Sequence, residues 1–353
     1  MEPPRRRTRP PPRLRASPPP RPARRASKKT REICLKLPSD IVFEILIKLA
    51  VKSLLRFQSV CKSWCSTISN NSFAKIHLAH SQTHPIYFAG SFPTHLGNKL
   101  ILSAIDKKNE DYNERPGSFI RDLCERHGSM RDVSEPLNGL ICVVFDDNPS
   151  VKVCNPSTQE VIELPPIVDT PHPRSIHSLG YDPITDKYKI LNISYTCYTQ
   201  AMEHRVFTLG SESDMWRRID GCADHIVFPS PIFQNSGRFC INGIIYFLGW
   251  DWGVKRNDDG TLIVAFHVGE EKFCVIPLPE GAPKFQYLLQ YSGCLAVVDS
   301  HKKDLMDNTI KMWILQDYSN KLWMEHTIVL PPPLKNLLAE KFFLFSCIIH
   351  TGE

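Results

Sequence analysis

Thirteen histidines, twelve cysteines and 37 carboxylates are spread through 353 residues, and chemistry would need a few of them at defined spacing. Cys61 and Cys65 come nearest to a ligand pair, four apart on what reads as a helix and therefore on one face. A structural zinc site needs four donors. No His or Cys at matching spacing lies close by, so the two read as reduced core thiols and no metal is expected. His172, His177, His204 and His225 fall in or near predicted loops, where binding residues concentrate; the plainer reading of each is an exposed polar residue. Trp250 and Trp252 flank Asp251 in a predicted loop and, if exposed, would grip a target. Packing between strands is the commoner use of such residues, so they are weak candidates for target binding. The sequence holds no phosphate-cradling P-loop, no dinucleotide glycine pattern, no HExxH and no nucleophile elbow. No catalytic residue and no cofactor is expected.

The elements that would position a binding surface are clearer. Between Leu37 and Leu78 three short helical runs follow one another. In the first, Ile41, Ile45, Leu46 and Leu49 recur at helical spacing, with Ser39 as the expected N-cap and Asp40 in the first turn. Val42, Phe43 and Ile47 lie off that stripe, so this helix is apolar on more than one side. A second run, Val51 to Phe57, carries Leu54, Leu55 and Phe57; a third, Val60 to Ile68, carries Val60, Cys61, Trp64, Cys65 and Ile68. A unit of about 40 residues rarely stands alone without disulfides, metal or a partner. The interior of an ordinary three-helix domain would explain the periodicity, but the excess of apolar residues over core need points to docking on another protein.

These residues resemble the plant type of F-box, LPxDhhxEILxRLPVKSLhRFkxVCKSWxxhI. The match runs through Leu37-Pro38, Asp40, Glu44-Ile45-Leu46, Leu49, Val51-Lys52-Ser53-Leu54, Arg56-Phe57 and Val60-Cys61-Lys62-Ser63-Trp64. Two positions depart from it, Gln58 where lysine is common and Ala50 where proline is usual. Alanine favours helix and proline breaks it, so Ala50 is expected to let the first helix run into the second. The resemblance implies docking on the SKP-type adaptor of a cullin–RING ubiquitin ligase. The residues matching that docking surface are Leu37, Pro38, Ile41, Ile45, Leu46, Leu54, Val60, Cys61 and Trp64.

Charge is divided unevenly along the chain. Twelve of the 43 Lys and Arg fall within the first 31 residues against the single Glu2, so the tail carries roughly +11 and the rest about −5. Proline and arginine dominate residues 1–31, which are expected to be disordered. Arg5-Arg6-Arg7 and Arg24-Arg25-Ala26-Ser27-Lys28-Lys29 resemble nuclear-localisation clusters; a solvated extension or loose nucleic-acid contact are the alternatives. No apolar run approaches the roughly 18 residues of a membrane span, and no secretory signal precedes the cysteines. A location in nucleus, cytoplasm or both is expected, with neither a membrane nor a nucleic acid expected as partner.

Residues 32–80 are expected to form the F-box, residues 81–135 a connecting segment or a first blade, with a strand pair at Pro85-Ile86-Tyr87-Phe88 and Lys99-Leu100-Ile101-Leu102, and residues 136–353 an all-β domain. In that domain an apolar run is followed by further strands and a turn four times, with corresponding points roughly 50 residues apart, the period of four-stranded propeller blades. Gly139, Gly243 and Gly293 recur just before an apolar strand, where a turn wants no side chain. NGLICVV, VCNPSTQEVIELP, LGYDPITDKYKIL, INGIIYFLGW and IVAFHVGEEKFCVIPLP resemble the plant F-box-associated, kelch-like domain. A propeller must close its last blade to avoid an open edge, so either Phe342-Phe343-Leu344-Phe345 pairs with an early strand or the domain is truncated.

The fold class expected is therefore α+β and multidomain, a small three-helix F-box followed by a propeller-like β domain. The function expected is non-catalytic recognition of an unknown target protein for a ubiquitin ligase of the SCF type. The competing reading is a propeller-fold ligand-binding protein or enzyme with an incidental helical cap.

Overall fold

The computed structural model describes residues 37–82, 87–94, 97–104, 130–145, 150–167, 174–195, 202–222, 226–227, 237–251, 260–282, 286–299 and 309–329. The basic tail, Trp252, His172, His225 and the run from Phe342 to Phe345 lie outside these residues.

Four helices open the described chain: α1 (Ser39–Ile47), α2 (Val51–Phe57), α3 (Lys62–Ile68) and α4 (Asn71–Gln82). Three were expected; the fourth continues past Ile68 and supplies Phe73 to the core. The core is small. Val42, Leu46, Ile47, Leu54 and Phe73 are buried, with Phe43, Leu49, Phe57, Trp64 and Ile68 packed against them. Phe43 meets Phe73 edge to face at 5.3 Å between ring centroids, and Phe57 lies 5.4 Å from Trp64.

Two local expectations fail. Pro38, not Ser39, occupies the N-cap of α1, and Ser39 is the first helical residue, its hydroxyl bonded to Asp40 at 3.2 Å. Ala50 does not fuse α1 to α2. It sits at φ −62°, ψ 148° as the N-cap of α2, its carbonyl accepting from the Ser53 and Leu54 amides. That φ is the one a proline ring would impose, and the pair is the polyproline II conformation. The break is therefore set by burial of Leu46 and Leu54 on a common core, which needs the chain to turn between them, rather than by the intrinsic preference of residue 50.

Among the described residues nineteen strands, β1 to β19, follow in four antiparallel sheets, made by sequence neighbours except that β11 pairs β13. Sheet 1 holds β1 (Tyr87–Thr94), β2 (Gly97–Ala104), β3 (Met130–Val133), β4 (Ile141–Phe145), β5 (Val151–Asn155) and β6 (Glu160–Glu163). Sheet 2 holds β7 (Arg174–Asp182), β8 (Lys187–Tyr195), β9 (Met202–Thr208) and β10 (Arg217–Ile219). Sheet 3 holds β11 (Ile226–Val227), β12 (Phe239–Ile241), β13 (Ile244–Asp251), β14 (Thr261–His267) and β15 (Lys272–Ile276). Sheet 4 holds β16 (Gln286–Tyr291), β17 (Cys294–Asp299), β18 (Thr309–Asp317) and β19 (Leu322–Val329).

The sheets stack face on face, and alternate residues of one strand serve two different cores. Ile190 packs toward sheet 1 beside Val144 and Val153, whereas its neighbour Leu191 packs toward sheet 3 beside Phe247 and Val264. Likewise Ile245 faces sheet 2, and Tyr246 faces sheet 4 beside Leu295 and Met312. A strand buried on both faces must be a continuous apolar run, which is why β13, β14 and β17 read as they do.

The tight turns carry a second regularity. Asn138-Gly139, Asn242-Gly243 and Ser292-Gly293 are two-residue hairpin turns with φ positive at both positions, as the recurring glycines predict. A four-residue turn also occurs in each sheet, and its last residue is left-handed: Gln159 (φ 64°), Asp186 (φ 56°), Glu271 (φ 58°) and Lys321 (φ 53°). The residue before three of these turns is Asx, and its side chain accepts amides inside the turn: Asn155 from Ser157 and Thr158, Asp182 from Ile184, Asp317 from Asn320. These turns gather at one end of the stack: Asn138 Nδ2 donates to Tyr188 Oη at 3.1 Å, a Cβ on Gly243 would lie 3.0 Å from Pro183, and His267 meets Tyr318 Oη at 2.7 Å.

Candidate docking surface

On α1 the helical period separates two faces. Val42, Leu46 and Ile47 are turned into the core, while Leu37, Ile41 and Ile45, four apart, form a stripe on the outside. Ile41 is 48% and Ile45 45% exposed, and Leu46 is fully buried. Pro38 and Val60 are also exposed; Cys61 and Trp64 are half-buried; Leu54 is buried beneath. The nine residues of the expected docking surface thus divide into an outer set of five, an intermediate pair, and two that support the helices from within. Leu55, 41% exposed on α2, joins the outer apolar set and was missed, because the motif asks only for a hydrophobic residue at its position. Covering the exposed parts of Leu37, Ile41 and Ile45 would contribute roughly 1 kcal/mol each. So small a core supplies little stability of its own.

Trp250 is half-buried in β13 and pairs with Thr261 and Val227 rather than standing in a loop. His177 and His204 are likewise not loop residues; both are buried, in β7 and β9. His177 belongs to a polar network joining three sheets. Its amide donates to Asp132 Oδ2 at 2.7 Å, its Nε2 lies 2.9 Å from Asn192 Nδ2, and Ser194 Oγ donates to Asn192 Oδ1. Arg238 Nη2 donates to Asp132 Oδ1 at 2.6 Å and to the Val133 carbonyl. Burial would raise the Asp132 carboxyl, but Arg238 and the His177 hydrogen bond outweigh it and bring it down to about 2. The groups of this network pair with one another, so it acts as a staple across sheets 1, 2 and 3. Nothing in the motif pattern marks Arg238, which lies 106 residues from its partner. Among the cysteines, burial pushes Cys154 up to about 12 and Cys142 well above its usual range, as expected of core thiols.

The left-handed turn residues reach outward. Lys321 donates to the Val275 carbonyl of sheet 3 at 3.2 Å. Glu271, in sheet 3, accepts from Lys189 of sheet 2 at 2.8 Å and from Arg217 at 2.7 and 2.9 Å. Asp186, in sheet 2, pairs with Lys75 of α4 at 2.7 Å.

The described chain is thus a small helical module with an outward apolar stripe followed by four stacked antiparallel sheets. Residues 34–76 match the F-box domain and residues 92–353 match the F-box associated beta propeller domain. Similar Arabidopsis thaliana proteins include F-box protein At5g65850, 33% identical over 94% of this chain and 81% of its own length, and F-box protein At1g30790, 32% identical over 84% and 75%. F-box/kelch-repeat protein At4g19930 is 30% identical over 88% of this chain and 73% of its own. The chain belongs to the plant F-box proteins that carry an F-box associated β-propeller domain.

Proposed function

We propose that this chain is the substrate-recognition subunit of an SCF-type cullin–RING ubiquitin ligase, working in nucleus, cytoplasm or both. The outer stripe of α1 docks on the SKP-type adaptor, and the β domain holds a target protein. Family membership supports the role in general terms. The observation that carries it is the division of α1: the module fills its core with Val42, Leu46, Ile47, Leu54 and Phe73, yet still leaves Leu37, Ile41 and Ile45 facing outward. An apolar helix face laid in a partner's groove is a recurrent recognition mode. Such a subunit needs no acid, base or nucleophile, because it raises the rate by holding the target close to a reaction performed elsewhere.

The test is capture of the purified adaptor by the full chain. Ile41→Glu with Ile45→Glu should abolish capture while leaving the circular dichroism spectrum unchanged, since both side chains already meet water. Capture that survives the pair would remove this surface, and with it the proposed role.

A further inference from the structure

We propose that Asp186 is an interdomain clasp that seats the helical module on the tight-turn end of the β domain, so that the adaptor-facing and target-bearing parts move as one body. The clasp itself is a statement about this chain alone; its consequence for ubiquitin transfer rests on the function proposed above.

Three donors converge on the one carboxylate. Lys75 Nζ lies 2.7 Å from Oδ2, Asn71 Nδ2 donates to the same oxygen at 3.4 Å, and Tyr181 Oη donates to Oδ1 at 2.7 Å. Lys75 and Asn71 come from α4, one helical turn apart on the same face. Tyr181 comes from β7 and rests on the Tyr188 ring at 4.9 Å, and Tyr188 Oη in turn accepts from Asn138 of sheet 1. The carboxylate is therefore held from the β side and offered to the helix.

A repeated device explains why the contact falls at this residue. In three of the four-residue turns the left-handed position reaches to a unit earlier in the chain: Lys321 to sheet 3, Glu271 to sheet 2, and Asp186 past sheet 1 to α4. At a left-handed residue the chain reverses sharply, which leaves the side chain at the tip free to extend sideways.

A lone exposed ion pair contributes little. Here the partners are tethered, so the contact competes only against separation within one chain, where effective concentrations are millimolar or higher. The lysine and hydroxyl together hold the Asp186 carboxyl below its ordinary range. The Ile47-containing core of the module is separate from the sheet cores, so no shared apolar packing among the described clusters does this work instead.

Amine cross-linking of the free full chain, read by mass spectrometry, tests the clasp. Lys187 adjoins Asp186, so a Lys75–Lys187 cross-link reports the joint, and a Lys48–Lys52 cross-link inside the module serves as the reference. Asp186→Ala should lower the ratio about five- to tenfold, and Asp186→Glu should hold it within about twofold. In small-angle scattering, Lys75→Glu and Asp186→Lys should each enlarge the radius of gyration, and the combined swap should return it. An unchanged cross-link ratio in Asp186→Ala, or a swap that fails to restore the dimension, overturns the proposal. Adaptor capture by Asp186→Ala should stay within about twofold of the parent chain. If the parent chain itself captures no adaptor, the ligase role fails while the clasp still stands or falls on its own measurements.

Discussion

Ile45 and Leu46 are adjacent apolar residues of one helix with opposite fates, and the difference predicts opposite phenotypes. Leu46 is fully buried, so Leu46→Ala should destabilise the module by roughly 2–5 kcal/mol in chemical denaturation. Ile45→Ala should cost less than about 1 kcal/mol and instead weaken adaptor capture, because it removes only surface. The buried ionisable residues predict a pH profile. Asp132 is held down to about 2, below its unfolded value near 4. Its contribution is complete above about pH 4 and is lost as pH falls toward 2. Burial lowers His204 to about 4 from the usual 6.5. The unfolded chain therefore binds more protons than the folded one between those values, and stability should fall as pH drops from 6.5 to 4, by on the order of 2–3 kcal/mol. His204→Gln should flatten that part of the curve, and Asp132→Asn, which strands Arg238 in the interior, should cost roughly 3–5 kcal/mol at neutral pH. An undiminished slope in the histidine variant would show that another group titrates.

The α1–α2 junction and the hairpin turns make predictions of their own. Ala50 already has the dihedral angles of proline, and among the described residues no hydrogen bond is made by its amide. Ala50→Pro should accordingly raise stability by about 0.4–1 kcal/mol by restricting the unfolded chain, seen as a higher melting temperature. The reverse holds at Gly243, where φ is +79° and a Cβ would lie 3.0 Å from Pro183. Gly243→Ala should destabilise by more than about 1 kcal/mol, measured as a lower denaturation midpoint with an unchanged slope. Gly139, with φ +80° and nothing within 4 Å, should suffer the backbone strain without the clash, so its alanine variant should be the milder of the two. The apolar runs and the glycine pairs made these strands and hairpins legible in the sequence. The short β3, β11 and β12 were not, because they carry too few residues to show a period.

For the whole molecule, the distribution of cores decides how it should come apart. Among the described residues sheets 1 and 2, 2 and 3, and 3 and 4 share cores in turn, while the helical module has a core to itself. Hydrogen exchange should therefore show the helices opening at lower free energy than β8, β13 and β14, with the difference narrowing when the adaptor is bound. Exchange that is uniform across the two parts would mean that they unfold together and that the helical core is stronger than its size implies. What the sequence determined alone was local: helix and strand periods, turn glycines, and the motif that places a docking module before a repeat of sheets. These follow from how a few neighbouring residues satisfy their own backbone and expose one face. Tertiary structure alone decided which apolar residues of α1 look outward, that Ala50 would act as a proline, and that His177 and His204 would be interior. It also brought Asp132 to Arg238 and Asp186 to Lys75, for both pairings join residues more than 100 positions apart, and their meeting depends on how sheets and helices stack rather than on any pattern along the chain.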